Sequence, residues 1–368
     1  MAIKNSGSLS ITDDIAKEFG GAKPHSLSEY YREAGLVPNA PQNVNIPTVI
    51  GNPIKFSNFY GSVKLFMYTI IEDLKEINLR TYLIEKGWDG NAPVELTLSS
   101  GKYIWSDSTA VPALTTGTFP GGLTFTNNGF IMGKGGRGGD HTNSNIGQPG
   151  GPAILLSSNC SIINNGYIAG GGGGGGGGVQ SGGGGGAGGG RGGDATDQFT
   201  LTAHFAGGAG GAIGQNGENG EMGDYLEPSH ANANQYGAGG SAGGSGGGLN
   251  IDDGSDRDPI AGGGGGGRIL PGTGVDAPIP GGERGDYPGG FGGGPGQNGG
   301  NPGYPYFASP STLGGNGVYN HAGAGGGGWG AKGGDSLGIG GAAGISINKN
   351  GFILNLTGNE SRVYGSII

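Results

Sequence analysis

The sequence predicts a mainly β fold combined with a bundle of polyglycine-II helices. Two observations carry this prediction. The first is a recurring phrase in which apolar residues alternate, an Asn-Gly turn follows, and an aromatic residue and an isoleucine close the phrase. The second is a set of uninterrupted glycine runs, the longest at residues 170–178. Alternation has the period of a strand, and glycine runs carry no side chains for a helix or strand to bury.

The β phrase occurs three times, at residues 123–131, 160–168 and 345–353. Asn-Gly supplies the positive φ angles that tight hairpin turns need, so each copy predicts a β-hairpin. The second and third copies bracket the longest glycine runs. We therefore expect a β scaffold that frames a glycine-rich insert, with residues 345–368 forming a C-terminal hairpin that completes the scaffold.

The glycine runs indicate a stacked block over residues 133–344. Of the 368 residues, 96 are glycine, and further runs lie at 182–186, 188–190, 262–267 and 325–328. A polyproline-II-type helix has three residues per turn and no internal hydrogen bonds, so its amides and carbonyls point outward. Neighbouring helices can pair these groups only at close range. Uninterrupted glycine predicts a helix that is crowded on all sides.

Residues 1–61 hold three short phrases that begin with a capping Ser or Thr or lead to a closing glycine, which is typical of helices of one or two turns. Ser26 and Glu29 have the spacing of a capping box. So short a set buries little apolar surface alone, which favours a segment that docks onto another protein; the alternative is an irregular N-terminal subdomain. The candidate docking residues are Ile15, Phe19, Tyr30, Tyr31, Phe56, Phe59 and Tyr60.

Residues 62–132 have ordinary composition and predict a small β domain. Residues 94–98 and 103–105 read as strands with a turn at Ser100-Gly101. Residues 70–84 fit a helix or strands, and strands are favoured.

Three charged phrases repeat inside the glycine-rich region: Arg137-Gly-Gly-Asp140, Arg191-Gly-Gly-Asp194 and Lys332-Gly-Gly-Asp335. Spacing by three residues places both charges on one face of a three-residue-per-turn helix. We interpret them as ion pairs at solvated ends or edges; the alternative is a repeated ligand site.

Segments rich in aromatic and charged residues separate the glycine runs, at about 195–205, 224–236, 249–260, 268–288 and 301–321. Tyrosine-rich loops on a rigid scaffold are typical of recognition surfaces. The alternative is that these side chains only cap the ends of the stack. The candidate receptor-binding residues are Tyr225, His230, Tyr236, Tyr287, Tyr304, Tyr306, Phe307 and Tyr319.

Composition argues against several other functions. The net charge of −9 carries no basic patch, so a nucleic-acid partner is not expected. No apolar run is long enough to span a membrane, and the N-terminus has no signal-peptide pattern, so we expect synthesis in a host cytoplasm. The single cysteine, Cys160, excludes an internal disulfide framework.

No catalytic, cofactor or metal motif stands out. With so many glycines, phosphate-loop spacings arise by chance, and the five histidines are scattered. The acidic stretch 252–258 resembles a calcium loop but lacks the EF-hand glutamate, which favours a solvated loop. We treat the three-residue sequence Arg284-Gly285-Asp286 as a chance occurrence and not as a functional motif. We expect no cofactor, no metal and no enzyme activity.

The N-terminal phrases, including Leu27-Ser-Glu-Tyr-Tyr31 and Ile54-Lys-Phe-Ser-Asn-Phe-Tyr-Gly61, resemble the start of many tailed-bacteriophage virion proteins. The stretch from Trp88-Asp-Gly90 through Asn128-Gly-Phe-Ile-Met-Gly133 and the glycine block is similar to glycine-rich phage structural proteins. A looser likeness is to the tip adhesins on the long tail fibres of T-even-type phages, in which stacked polyglycine-II helices carry variable receptor-binding loops.

The resemblance implies a virion protein that docks through its N-terminal segment to other virion proteins and presents loops to a bacterial surface protein or glycan. It also implies a homotrimer, since trimers are common in phage fibres. The alternatives are a capsid decoration or baseplate subunit whose glycine block is a spacer, and an ice-binding module, which the bulky loops and the missing disulfides disfavour.

Overall fold

The computed structural model describes residues 3–39, 41–140, 144–178, 180–196, 204–223, 237–247, 249–250, 260–276, 286–287, 289–302 and 322–368. The described chain is mostly β with few and short helices, which confirms the mainly β prediction. Within these ranges no helix is both long and apolar enough to cross a membrane.

Residues 3–63 form a small unit with an apolar core of its own. Its helical turns are Ile11–Ile15, the adjoining α1 (Ala16–Phe19), Leu27–Glu29, Pro41–Asn43 and Phe56–Phe59. The capping box at Ser26 is confirmed: its amide donates to Glu29 Oε1 at 3.0 Å, and its Oγ accepts from the Ser28 amide. The segment therefore buries more apolar surface by itself than its length suggested.

Residues 66–368 contain a parallel β-solenoid, in which each turn of the chain adds one rung to three sheets. The strands and one helix follow in chain order. Rung one holds β1 (Phe66–Ile70), β2 (Leu74–Lys75), β3 (Ile77–Asn78) and α2 (Leu79–Glu85). Rung two holds β4 (Val94–Leu98), β5 (Tyr103–Trp105) and β6 (Leu114–Thr115). Rung three holds β7 (Leu123–Asn127), β8 (Phe130–Met132) and β9 (Ile154–Leu155).

Rung four begins with β10 (Cys160–Asn164) and β11 (Tyr167–Ala169). The glycine block follows, and its described residues include six strands of two residues: β12 (Ala195–Thr196), β13 (His204–Phe205), β14 (Met222–Gly223), β15 (Leu249–Asn250), β16 (Ile260–Ala261) and β17 (Asp286–Tyr287). The rung closes with β18 (Ile347–Asn348). Rung five holds β19 (Leu354–Gly358) and β20 (Val363–Tyr364).

The three solenoid sheets are parallel and in register. The first sheet has the order β1-β4-β7-β10-β19, the second β2-β5-β8-β11-β20, and the third β18-β9-β6-β3. Inward-facing residues of all rungs share one apolar core with α2, whose Leu79 and Leu83 are fully buried. The strands predicted at 94–98 and 103–105 are confirmed. The preference for strands is wrong at residues 79–84, which belong to α2.

The predicted hairpins are wrong. Strands β7 and β8 flank Asn128-Gly129 but belong to different sheets, and each pairs with the next rung instead. Neither Gly129 nor Gly166 has a positive φ. A Cβ at Gly166 would lie 2.0 Å from the carbonyl oxygen of Gly129, so these glycines are required by close stacking of rungs. The third copy is offset, because β18 lies in the third sheet.

The chain passes from the solenoid into the glycine block after the second-sheet strands β8 and β11. Residues 133–153 leave between β8 and β9, and the longer insertion leaves between β11 and β18. The β10 strand pairs with β7 across the domain boundary that the sequence suggested at residue 132. The C-terminal strands β19 and β20 each extend an existing sheet in parallel, which replaces the expected C-terminal hairpin.

The run 170–178 lies at the centre of the block and is hydrogen-bonded to six neighbouring segments. Every third residue meets the same neighbour: the amides of Gly171, Gly174 and Gly177 donate to the carbonyls of Gly151, Gln148 and Asn145. Apart from the first amide, that of Gly170, the other amides donate to carbonyls of 181–187 and 331–334. The carbonyls accept from amides of 136–139, 324–330 and 338–344. A Cβ at Gly174 would lie 1.9 Å from the Arg137 carbonyl oxygen, so the surroundings leave no space for a side chain.

Candidate functional site

The glycine block has two different ends. One end adjoins the solenoid, where the Gly170 amide donates to the Tyr364 carbonyl at 3.0 Å. At the other end, the Gly178 amide donates to the Ser181 carbonyl, and the Gly182 amide donates to the Ala261 carbonyl. We call this second end the loop-bearing end, because the chain leaves it and returns to it around several of the aromatic-rich segments that the sequence singled out.

Short antiparallel ladders form the loop-bearing end. β12 pairs with β13, and a second sheet has the order β14-β16-β15-β17. The strand β14 directly precedes residues 224–236, and β15 and β16 flank residues 251–259. The described residues that flank these segments therefore meet in one small sheet.

The candidate receptor-binding residues mostly lie outside the described part of the chain. Only Tyr287 lies inside it, in β17, where its backbone pairs with Leu249. The remaining candidates are outside the described residues: Tyr225, His230, Tyr236, Tyr304, Tyr306, Phe307 and Tyr319. The acidic stretch 252–258 and Arg284-Gly285 are also outside. Among the described residues, no cluster of His, Cys, Asp and Glu side chains could hold a metal ion.

The charged phrases form the ion pairs that their spacing predicted. Arg191 Nη2 lies 2.6 Å from Asp194 Oδ1, and Lys332 Nζ lies 2.8 Å from Asp335 Oδ1. Arg137 pairs with Asp140 and also with Asp194, at 3.0 Å. The first two phrases are thus joined in one network. Asp140 is buried, so this part of the network is not the solvated edge that we expected.

Asp194 is the centre of this network. Burial alone would raise the pKa of its carboxyl, but the Gly207 amide, Arg191 and Arg137 outweigh burial and hold the pKa below its ordinary value. The Gly207 amide donates to Asp194 Oδ1 at 2.8 Å. Asp194 is therefore a fixed negative charge that ties three segments together directly before β12.

A second ionic cluster joins the block to the solenoid, and sequence reasoning missed it. Arg268 is buried and donates to Asp107 Oδ1 and, at 3.1 Å, to the Gly188 carbonyl. Lys134 donates to the Gly189 carbonyl at 2.7 Å, and burial together with Arg268 lowers its pKa to about 8. Arg268 directly follows the run 262–267, and a lone charge at the end of a glycine run is the signal that could have identified it.

An apolar cluster completes the junction. Trp329 is fully buried, and its Nε1 donates to the Ile269 carbonyl at 2.8 Å. The other buried members of the cluster are Met132, Ala169, Ala187, Ala242 and Leu270. The block is therefore held on the solenoid by buried apolar and ionic contacts and not by a linker alone.

The candidate docking residues lie mainly inside the N-terminal segment. Ile15, Phe19, Tyr30 and Phe59 share its core. Tyr31 is buried and donates to the Asn52 carbonyl at 2.6 Å, and the Tyr60 hydroxyl donates to the Gly7 carbonyl. Of the seven candidates, which all lie in the described part of the chain, Phe56 alone is exposed, at 41%. Val44, Val49 and Ile50, which the sequence reasoning did not select, are more exposed than Phe56.

Comparison with known proteins identifies the relatives of this chain. One solved structure that it resembles is the gp37-gp38 adhesin tip complex of the bacteriophage S16 long tail fiber. The identity is 19%, the alignment covers 86% of this chain and 88% of that chain, and the TM-score is 0.43. A comparison with curated protein sequences gives no significant match.

The family comparison is decisive. The model of the family described as phage tail fibre adhesin Gp38 matches residues 65–257, just over half of the chain. The matched range begins at the first solenoid strand and extends through β15 into the glycine block. The chain belongs to the phage tail fibre adhesin Gp38 family.

Proposed function

We propose that the loop-bearing end of the glycine block binds the bacterial receptor. The observation that carries this proposal is the convergence of the short ladders β12 to β17 at one end of the block, next to the aromatic-rich segments. A tail fibre adhesin requires a recognition surface, and loops on a rigid scaffold are the common way to build one. The receptor would be a surface protein or a glycan, bound by the tyrosine-rich segments without chemical turnover.

We propose further that the glycine runs are stacked polyglycine-II helices. The support is the change of hydrogen-bond partner with a period of three along residues 170–178. Three residues per turn with outward-pointing amides and carbonyls would produce such a pattern. In this arrangement each backbone is held by its neighbours, so the block would transmit force from the bound receptor to the solenoid without bending.

The family assignment favours the tail fibre adhesin over the alternatives of a capsid decoration protein, a baseplate subunit and an ice-binding module. An adhesin acts on the outside of the particle, so the protein is a virion protein.

We propose that the N-terminal segment contacts another virion protein. Because Ile15, Phe19, Tyr30 and Phe59 form its core, the contact would use its exposed residues. Among the described residues of this segment, the exposed large apolar side chains are Phe56, Val44, Val49 and Ile50. A homotrimeric assembly is also part of the proposal, and sedimentation of the purified chain measures it.

Exchange of the segments tests receptor binding. Residues 224–236 and 301–321 would be replaced by the equivalent segments of a relative with another host, and adsorption to both hosts would be measured. We expect adsorption to follow the donor of the segments. A control variant with Met67→Ser and Ile71→Ser changes exposed apolar residues on the solenoid and should adsorb like the wild type. Unchanged adsorption after the exchange would instead favour a block that acts only as a spacer.

A further inference from the structure

The antiparallel ladder of β12 and β13 is too short to hold its own place at the loop-bearing end. It consists of two residue pairs, Ala195 with Phe205 and Thr196 with His204. Two strands of such length are at best marginally stable in water without further contacts. Another interaction must therefore fix the place where these strands leave the glycine block.

Asp194 provides this interaction at the base of the ladder. It directly precedes β12, and its Oδ1 accepts a hydrogen bond at 2.8 Å from the amide of Gly207, which follows β13. The bond joins positions 13 residues apart and closes the segment between them. Gly207 is buried, so its amide would be left without a partner if the carboxylate moved away.

Two arginines hold the carboxylate in this position. Arg191 Nη2 lies 2.6 Å from Asp194 Oδ1, and Arg137 Nη2 lies 3.0 Å from Asp194 Oδ2. Both carboxylate oxygens are therefore engaged. Arg137 also pairs with the buried Asp140, while its Nε is buried without a hydrogen-bond partner among the described residues. The place of this guanidinium group is thus set by the two carboxylates.

Arg137 connects the ladder to the interior of the block. The amides of Gly136 and Gly139, on either side of Arg137, donate to the carbonyls of Gly172 and Gly175 in the central run. The carboxylate at the base of the ladder is thereby anchored to the centre of the block.

The third charged phrase contains the same kinds of bond but closes a different part of the chain. Asp335 pairs with Lys332, and its Oδ1 accepts from the Gly340 amide at 2.8 Å. Gly340 lies 5 residues along the chain, so this bond closes a local turn. The Asp335 side chain is 49% exposed, against 27% for Asp194. The two aspartates therefore occupy the same place in their phrases but differ in what they hold together.

We propose that Asp194, held by Arg137 and Arg191, is a positioning residue of the receptor-binding end. It keeps the β12–β13 ladder in the arrangement that the receptor recognises, without touching the receptor. The inference rests on the proposed function of the loop-bearing end and adds to it the residues that set its geometry. When the base of the ladder opens, a smaller fraction of the chain is competent to bind, and the apparent dissociation constant rises by the inverse of that fraction.

Equilibrium binding to host cells tests the proposal. The purified full chain carries a fluorescent label, and its dissociation constant is obtained by titration onto susceptible cells. We expect Asp194→Ala to raise this constant about tenfold or more, because the Gly207 amide and both arginines lose a charge-assisted partner. The matched control is Asp335→Ala, which removes an exposed ion pair of the same phrase and should bind within about twofold of the wild type.

Two further measurements distinguish positioning from a general loss of stability. Asp194→Asn keeps an acceptor for the Gly207 amide but removes the charge between the arginines, so its dissociation constant should lie between those of the wild type and Asp194→Ala. Amide hydrogen exchange in Asp194→Ala should be faster than in the wild type at Gly207 and unchanged at Gly174, whose amide lies in the central run.

Wild-type binding by Asp194→Ala would overturn the proposal. So would faster exchange at Gly174, because the variant would then loosen the whole block and not the ladder alone. The exchange of residues 224–236 and 301–321 separates this inference from the proposed function. If that exchange redirects adsorption while Asp194→Ala binds like the wild type, the positioning role alone is wrong. If the exchange leaves adsorption unchanged, the receptor-binding end itself is wrong, and the positioning role with it.

Discussion

Asn127 and Asn164 show how single residues set the spacing of the rungs. Asn127 Nδ2 donates to Asn164 Oδ1 at 2.8 Å and to the Tyr167 carbonyl, and its Oδ1 accepts from the Gly129 amide. Asn164 Nδ2 in turn donates to the Asn359 carbonyl at 3.2 Å. Both asparagines are buried, so the ladder satisfies polar groups inside the solenoid that would otherwise be unpaired.

Replacing Asn127 by alanine should therefore destabilise the solenoid. The substitution leaves the Gly129 amide, Asn164 Oδ1 and the Tyr167 carbonyl without this partner, and we expect a loss of about 2 kcal/mol in the free energy of unfolding. Urea unfolding followed by tryptophan fluorescence measures the loss. Asn165→Ala is the matched control: the Asn165 side chain is exposed and donates to Asn128 Oδ1, so a loss of about 0.5 kcal/mol or less is expected. Equal losses in the two variants would show that the buried asparagine ladder stabilises the fold no more than an exposed side-chain hydrogen bond does.

The ion pair between Asp107 and Arg268 predicts that the stability of the junction depends on pH. Burial raises the pKa of its carboxyl, but Arg268 and Lys75 outweigh burial and lower it below the ordinary value. A lowered pKa stabilises the folded state above the unfolded pKa of about 3.9, and this stabilisation is lost as the pH falls through the folded value.

Asp107→Asn should then be less stable than the wild type at pH 7, by about 1 kcal/mol or more, because Arg268 stays buried without its charged partner. Guanidinium unfolding at pH 7 and at about pH 3 measures the difference. It should shrink at the lower pH, where the wild-type carboxyl is itself becoming protonated. Glu95→Gln, on the exposed face of the first sheet, serves as the control at both pH values. A difference that does not change with pH would contradict the ion-pair explanation.

At the scale of elements, the sequence predicted strands well and their partners poorly. Alternation identified β4, β5, β7 and β10, because the inward residues of a half-buried strand must be apolar. It did not reveal that these strands pair across rungs, since alternation is the same in a hairpin and in a solenoid. The stacked rings of Tyr103, Phe130, Tyr167 and Tyr364 are the pattern that distinguishes the two, because they recur once per rung.

The glycine runs were predictable for a different reason. A stretch of nine glycines can only be ordered if its neighbours lie too close for side chains, and the surroundings of the run 170–178 fit this expectation. The lone charge of Arg268 at the end of a glycine run was visible in the sequence, but its pairing with Asp107 was not predictable, because the two residues are 161 positions apart and meet only in the folded chain. The receptor-binding candidates stay predictions, since most of them lie outside the described residues.

Gly174→Ala tests the crowding of the central run. A Cβ there would lie 1.9 Å from the Arg137 carbonyl oxygen, so the backbone of either segment must move. We expect a loss of about 3 kcal/mol or more, or a chain that does not accumulate in soluble form. Gly294→Ala is the matched control, since its nearest neighbour is the flexible Gln297 side chain at 3.0 Å. Thermal unfolding of both variants measures the contrast, and similar midpoints would show that the block tolerates side chains at its centre.

At the scale of the whole molecule, the described chain has parts with separate apolar cores. The N-terminal segment has its own core, and the solenoid shares another core with α2. The polar contacts that the described residues show near this boundary include the Gln42 Nε2 hydrogen bond to the Gly121 carbonyl at 3.4 Å and the Lys64 amide hydrogen bond to Glu18 Oε1 at 2.8 Å. Such contacts stabilise little by themselves, so the solenoid and the glycine block should not depend on the segment for their folding.

Deletion of residues 1–61 tests this independence and the proposed docking role together. We expect the shortened chain to keep the thermal unfolding transition of the solenoid and to adsorb to host cells like the full chain, because the loop-bearing end lies on the glycine block. Incorporation into particles should fall, since the exposed Val44, Val49 and Phe56 are removed with the segment. The full chain with Val49→Ser and Ile50→Ser is the milder variant and should lower incorporation without altering unfolding. Normal incorporation of both forms would contradict the proposed docking role of the segment, and loss of cell adsorption would show that the segment supports the rest of the molecule.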